Sequence, residues 1–200
     1  MSPCFAPCVA ATGLMILLGG CGSNVPIRNY ELGSPASAVT GSWSEAGLPV
    51  IELKTVSVPD YLDSSDILRR SGANELIASP TGRWGERLSL GLTHALASDL
   101  AARLPRAVIT TNAGAESTRR LLVDVDSFEI GANGECLLAA RWRFSAGDGT
   151  AITPGEHGAT AETAVSLDDA AVAAAMSRAV DQLAEQIAAT VRNAPRHPPS

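Results

Sequence analysis

Residues 119–146 read "RRLLVDVDSFEIGANGECLLAARWRFSA", and this stretch constrains the fold more than any other. Before the central "GANG", Val123 and Val125 alternate with Asp124 and Asp126. After it, Cys136, Leu138, Ala140, Trp142 and Phe144 fall on one side, with Arg141 and Arg143 on the other. Side chains of a strand point to its two faces in turn. Two such runs around a Gly/Asn turn therefore predict an antiparallel hairpin with one apolar face. By parity Cys136 points inward, which suits an inert buried thiol. An apolar sheet face must be covered by another layer.

Two helical segments can supply the cover. From Trp84 to Leu104 the period changes: Leu88, Leu92, Leu96, Leu100 and Leu104 recur every four residues, with Ala95 beside them. Arg87, Ser98, Asp99 and Arg103 lie off that stripe, and Pro105 stops it. Near the end of the chain, Val172, Met176, Ala179, Val180, Leu183, Ile187 and Val191 form a second stripe. It predicts a helix over 168–193 that ends before Pro195, with Ser166 and Asp169 resembling a capping box. The polar face of this helix lacks the Lys/Arg excess of a membrane-lying helix, so the stripe reads as a face packed on the sheet.

Shorter signals complete the order. "YELG" opens a first strand, "SAVTGSW" is a short strand, and the β-branched run at 48–59 is another. "DYLDSSDILRR" reads as a short helical turn capped by Asp60 or Ser64. "NELIASP", "AVITT" and "ATAETAVS" are further short strands, and "GDGTAITPGEHG" is a loop with room for a short strand. The expected fold is α/β: a single domain with a mixed β-sheet and two long amphipathic helices packed on one face.

The beginning of the chain does not belong to that domain. "LMILLGGCGS", residues 14–23, is apolar only from Leu14 to Leu18, short of the roughly 20 residues a spanning helix needs. Its length fits the apolar region of an export signal. Leu18-Gly19-Gly20-Cys21 resembles the bacterial lipobox, with small residues before the cut and a thiol that takes up a diacylglycerol. Residues 1–20 are then a signal peptide, 21–29 a lipidated tether, 30–193 the domain and 194–200 a tail. Gly22 stands where an Asp would resemble an inner-membrane retention signal, so it suggests sorting to the outer membrane.

The first 20 residues hold no charged side chain, so the net charge of −6 belongs to the remainder. An acidic chain with scattered arginines has no footprint for nucleic acid. Of the four cysteines, Cys4 and Cys8 leave with the signal and Cys21 becomes the anchor. Cys136 is left without a disulfide partner, so the fold must stand on its core.

Little in the remaining residues points to catalysis. His94, His157 and His197 share no metal-ligand spacing, so no metal or other cofactor is expected. Asp124 and Asp126 sit about 7 Å apart on one strand face, a spacing that mimics an acid/base pair, but a solvated strand face is the favoured reading. A phosphate loop, a dinucleotide fingerprint and a nucleophile elbow are all missing.

"VSVPDYLDSSDILRRSGANEL", 56–76, followed by "RWGERLSLGLTHALASDLAARL", 83–104, resembles the PqiC family of ABC-type transport auxiliary lipoproteins. The resembling core is Pro59, Tyr61, Leu62, Asp63, Asp66, Ile67, Arg70, Asn74, Glu75, Leu76, Arg83 and Trp84. "LLAARWRF" and "AAMSRAVDQLAEQIAATV" are similar to the family's hairpin strand and closing helix. The resemblance implies a non-enzymatic outer-membrane lipoprotein facing the periplasm. Its implied partners are an MCE-domain tunnel protein and integral inner-membrane or ABC subunits, and it implies a ring-like homo-oligomer. Tyr61, Leu62, Asp63, Arg83 and Trp84 form the expected contact surface, because interfaces favour Tyr, Trp and Arg. The same aromatic residues would equally serve to pin a loop to the core. Two other functions stay open: binding of a lipid or small apolar ligand between sheet and helix, and hydrolysis by Asp124/Asp126 or His157.

Overall fold

The computed structural model describes residues 25–33, 48–112 and 118–195. The expected signal peptide, Cys21, Gly22, the "SAVTGSW" strand and the end of the tail lie outside them. The hairpin organises everything else. Strand β6 (Arg119–Ile130) pairs antiparallel with β7 (Glu135–Ala146) along its whole length, from Arg119 opposite Ala146 to Ile130 opposite Cys136. Gly134 makes the turn with φ of 81°, a left-handed conformation that glycine adopts at no steric cost.

The alternation in β6 breaks once. Leu121, Val123 and Val125 face inward, and so do Phe128 and Ile130, because a bulge between Val125 and Ser127 shifts the phase by one residue. Simple period-two counting would have turned Phe128 and Ile130 outward. The bulge instead keeps both in the core and leaves Asp126 exposed at the kink.

The other edge of β6 is shared. Near its start it pairs parallel with β2 (Val50–Leu53), which in turn pairs parallel with β5 (Val108–Thr110). Near its end it meets β3 (Asp66–Arg70), which continues through β4 (Leu76–Trp84) to β1 (Arg28–Tyr30). Beyond β7 lies β8 (Glu156–Thr163), paired antiparallel. The result is an eight-stranded mixed sheet. Helices α1 (Leu88–Arg103) and α2 (Asp169–Asn193) pack against each other, with α1 reaching β5 and α2 reaching β4, β7 and β8. Leu92, Leu96 and Leu100 of α1 and Leu183 and Ile187 of α2 are fully buried, as the two stripes require.

Several short elements differ from the expectation. Where a helical turn was expected over 60–70, the chain makes a tight turn closed by Leu62 N donating to Pro59 O at 2.9 Å, and Asp66–Arg70 is strand β3. The first strand begins at Arg28, inside the expected tether, because β1 pairs with Gly82–Trp84. Strand β4 does not stop at Pro80. A proline interrupts a ladder by lacking an N–H, and here Ser79 Oγ accepts from the N–H groups of Thr81 and Gly82 at 3.1 and 3.0 Å, which carries the strand past the gap. Strand β8 starts three residues earlier than "ATAETAVS", within the expected loop. The cap of α2 is Asp168, whose Oδ1 accepts from Ala171 N at 3.0 Å. Ser166 bonds to Asp168 instead of capping, and Asp169 accepts from Thr81 Oγ1 at 2.6 Å.

Candidate functional site

The loop between β2 and β3 carries most of the expected contact residues. It stays close to the sheet at first: Ser57 N donates to Val123 O at 3.0 Å and Val125 N to Ser57 O at 2.8 Å. Val56 N then donates to Thr93 Oγ1 in α1 at 2.9 Å, joining the loop to the helix layer. Past the turn, Leu62 is 2% exposed and packs into the core. Asp63 pairs with Arg87 and accepts from Ser89 N at 3.2 Å. Burial alone would push the Asp63 carboxyl up, but the Ser89 hydrogen bonds and the Arg87 guanidinium hold it below the ordinary carboxylate range.

Tyr61 points the other way, to the sheet face that neither helix covers. It is 49% exposed, and its hydroxyl donates to Glu129 Oε1 at 2.8 Å. Arg70 holds the same carboxylate in a fork, Nε to Oε2 at 2.5 Å and Nη2 to Oε1 at 2.7 Å. The Arg70 hydrogen bonds hold the Glu129 carboxyl low, while burial first and Glu129 second push the Tyr61 phenol up. Glu129 was not foreseen. It stands 59 positions from Arg70, and only the parallel pairing of β3 with β6 brings the two together.

Arg83 is occupied by its own neighbourhood. Its Nε meets Asp66 Oδ1 at 3.0 Å, and Nη1 donates to the carbonyls of Gly82, at 2.7 Å, and Ser79. Trp84 is 4% exposed, inside the core. Of the five expected contact residues, Leu62 and Trp84 therefore pin the loop and β4 to the interior, Asp63 and Arg83 sit half-buried in ion pairs, and Tyr61 faces solvent.

The acid/base candidates separate. Asp126, at the bulge, is held by Arg141 through Nη2 to Oδ1 at 2.8 Å and Nε to Oδ2 at 3.0 Å. Asp124 faces a groove of about 450 Å³ with Arg143 and His157. That groove adjoins a second of about 570 Å³ at the C-terminal end of α2, where Trp142 Nε1 donates to Thr190 Oγ1 at 3.1 Å and Thr190 Oγ1 donates to Glu156 at 2.5 Å. His94 contacts Glu86 at 2.9 Å on the surface. Among the described residues no three His, Cys, Asp or Glu side chains gather where they could hold a metal ion, and no helix is long and apolar enough to cross a membrane. A hollow between sheet and α1, beside Tyr30, Leu32 and Trp84, has about 10 Å³, too little for an acyl chain.

The architecture is that of a one-domain mixed sheet covered on one side and open on the other, with a surface built from paired charges and a single outward tyrosine. Solved structures share this fold. One, a crystal structure of an uncharacterized protein, superposes with a TM-score of 0.65 at 17% identity, covering 72% of this chain and 92% of the other. A second, a protein from Xanthomonas campestris, gives 0.61 at 18% identity, covering 82% and 91%. Residues 30–188 match the ABC-type transport auxiliary lipoprotein component, and the chain belongs to that family. It is 23% identical over 125 residues to the intermembrane transport lipoprotein PqiC of Escherichia coli K12, covering 62% of this chain and 67% of that protein. The match to PqiC of Shigella flexneri has the same extent.

Proposed function

We propose that this protein is the outer-membrane lipoprotein of an MCE/ABC-type intermembrane lipid transport system, anchored through Cys21 and facing the periplasm. It docks or tethers the periplasmic tunnel protein and catalyses no reaction. The observation that carries this reading is the family match across residues 30–188, beside similarity to a relative named for intermembrane transport. The physical argument agrees. One acyl chain binds a membrane marginally, at about 0.8 kcal/mol per buried methylene, whereas the two or three chains of a bacterial lipoprotein hold firmly. Gly22 then directs the anchored protein outward.

Tyr61 is the favoured contact with the partner. It is exposed, aromatic and held in one orientation by Glu129, so ordering it on binding costs little entropy. A ring of copies of this chain would present several such tyrosines to a ringed partner. The test is co-purification of the MCE protein from membranes with wild type and with Tyr61→Ala, alongside separation of inner and outer membranes. Loss of the partner with a folded, outer-membrane variant is expected. Full recovery by Tyr61→Ala would remove Tyr61 from the interface, and a protein found in the inner membrane would overturn the placement.

A further inference from the structure

The large exposed apolar side chains are unevenly spread. Ile77, Leu137, Val165 and Leu167 lie toward one end of the sheet, where β3, β6 and β8 finish, β4 and β7 begin, and α2 starts, and Val25 and Ile27 precede β1 beside the middle of β4, with Val25 sharing a hollow with Leu167. Tyr61 lies near this end too, on the open sheet face, since its partner Glu129 stands opposite Leu137 in the β6–β7 pair, whereas Leu90 stands apart in α1. Val165 is the extreme case: 94% exposed, in the loop between β8 and α2, packing against nothing that would explain a valine. Single exposed apolar residues are ordinary, but a cluster rimmed by polar groups marks an interaction surface.

The chain enters the domain beside this end. Strand β1 runs parallel to β4 with Arg28 opposite Gly82, so the residues before Arg28 run back toward the start of β4. Val25, Pro26 and Leu167 line a hollow of about 320 Å³ together with Arg28 and Arg69. Asp168 and Asp169 border it too, but the fold engages both: Asp168 caps α2 and Asp169 accepts from Thr81. Arg69 donates through Nη1 to Leu167 O at 3.0 Å, and its Nε has no partner among the described residues.

Cys21 lies four residues before Val25, and four residues span at most about 14 Å. We propose that this end of the domain seats on the lipid surface that holds Cys21, with Val165, Leu167, Val25 and Ile27 in the interfacial layer and Arg28 and Arg69 against lipid phosphates. The inference rests on acylation of Cys21. The seating is shallow, since Glu75, in the turn between β3 and β4, and Glu135, at the start of β7, flank the patch and resist deeper entry. Helix α2 then starts near the membrane and runs away from it for about 37 Å over its 25 residues. The opposite end, with the grooves around Trp142 and Glu156, points into the periplasm.

The test uses the full chain, processed in bacterial membranes and reconstituted in vesicles of phosphatidylethanolamine and phosphatidylglycerol. Val165→Cys and, as reference, Leu90→Cys carry a bimane label; the buried Cys136 does not take it up. The label at 165 is expected to emit at shorter wavelength and to be quenched by brominated lipid about twofold or more strongly than the label at 90. Water-like emission at both positions overturns the seating. A shift at 165 without lipid quenching also overturns it, since that places the loop against protein. The mass of the N-terminal peptide separates the two readings. An unacylated Cys21 defeats the anchor and this inference with it; an acylated Cys21 with an unquenched label defeats the seating alone.

Discussion

Asp63 accepts a hydrogen bond from the backbone N–H of Ser89 at 3.2 Å, and so caps a helix that belongs to a different part of the chain. The residue in the cap position of α1 is Arg87, whose side chain accepts nothing. The first N–H groups of a helix need acceptors, and the first turn of α1 contains no acidic residue of its own. The "PDYLD" loop thus acts as the missing cap, which explains why Asp63 sits where an interface residue was expected.

Replacing Asp63 with Ala should lower stability by about 1 kcal/mol, the usual worth of a helix cap. Asp63→Asn should lose less, because the amide oxygen still accepts from Ser89. The folded-state carboxyl is held low, so its contribution is present above the unfolded-state value and disappears as pH falls through the folded one. Urea titrations of wild type and Asp63→Asn at neutral pH and near pH 3 check this: the gap between them should narrow in acid.

Asp99 presents the opposite sign. Burial first, then the nearby Asp181 carboxylate, push its carboxyl up, with Arg103 only partly opposing, and its Oδ2 is buried without a partner among the described residues. A carboxyl raised in the folded state costs stability above its folded value, and that cost is relieved as pH falls through it. Asp99→Asn should therefore stabilise the protein at pH 7, by up to about 1 kcal/mol, and the gain should shrink in acid. Thermal denaturation at pH 7 and pH 4 measures both.

The long elements were legible because each repeats one period often enough to be seen. The hairpin limits at 119–130 and 135–146 and the α2 span coincide with the expectation nearly residue for residue. What stayed hidden depends on contacts between distant residues. Asp66–Arg70 has too few residues for a period and becomes a strand because β4 and β6 flank it. The β6 bulge hides because Asp126 and Ser127 are both polar, so the sequence does not show which of them is the extra residue. Arg83 and Trp84 carried the resemblance to the family, but residue type alone could not separate an outward tyrosine at 61 from a buried tryptophan at 84.

Gly158 should not tolerate a side chain. A Cβ there would lie 2.0 Å from Gln186 Oε1 and 2.8 Å from the Trp142 ring. Gln186 can swing aside, whereas Trp142 is fixed in the core by its bond to Thr190. Gly158→Ala should destabilise by about 1–3 kcal/mol, the usual cost of overpacking. Adding Gln186→Ala should restore only part of the loss, which a double-mutant comparison of unfolding midpoints would show.

Cys136 should behave as a core atom and not as a thiol. It faces inward on β7 and is fully buried, and burial first, with Glu162 adding to it, pushes its pKa up to about 12. Only the thiolate reacts with disulfide reagents. At pH 8 the folded protein made without residues 1–21, in which Cys136 is the one thiol, should therefore show almost no reaction with an aromatic disulfide, and full reaction in denaturant. The slow rate in native buffer should follow the opening of the hairpin region and fall in step with any stabilising change such as Asp99→Asn. Rapid reaction of the folded protein would mean that β7 is accessible from the helix side, contrary to the packing of α2 upon it.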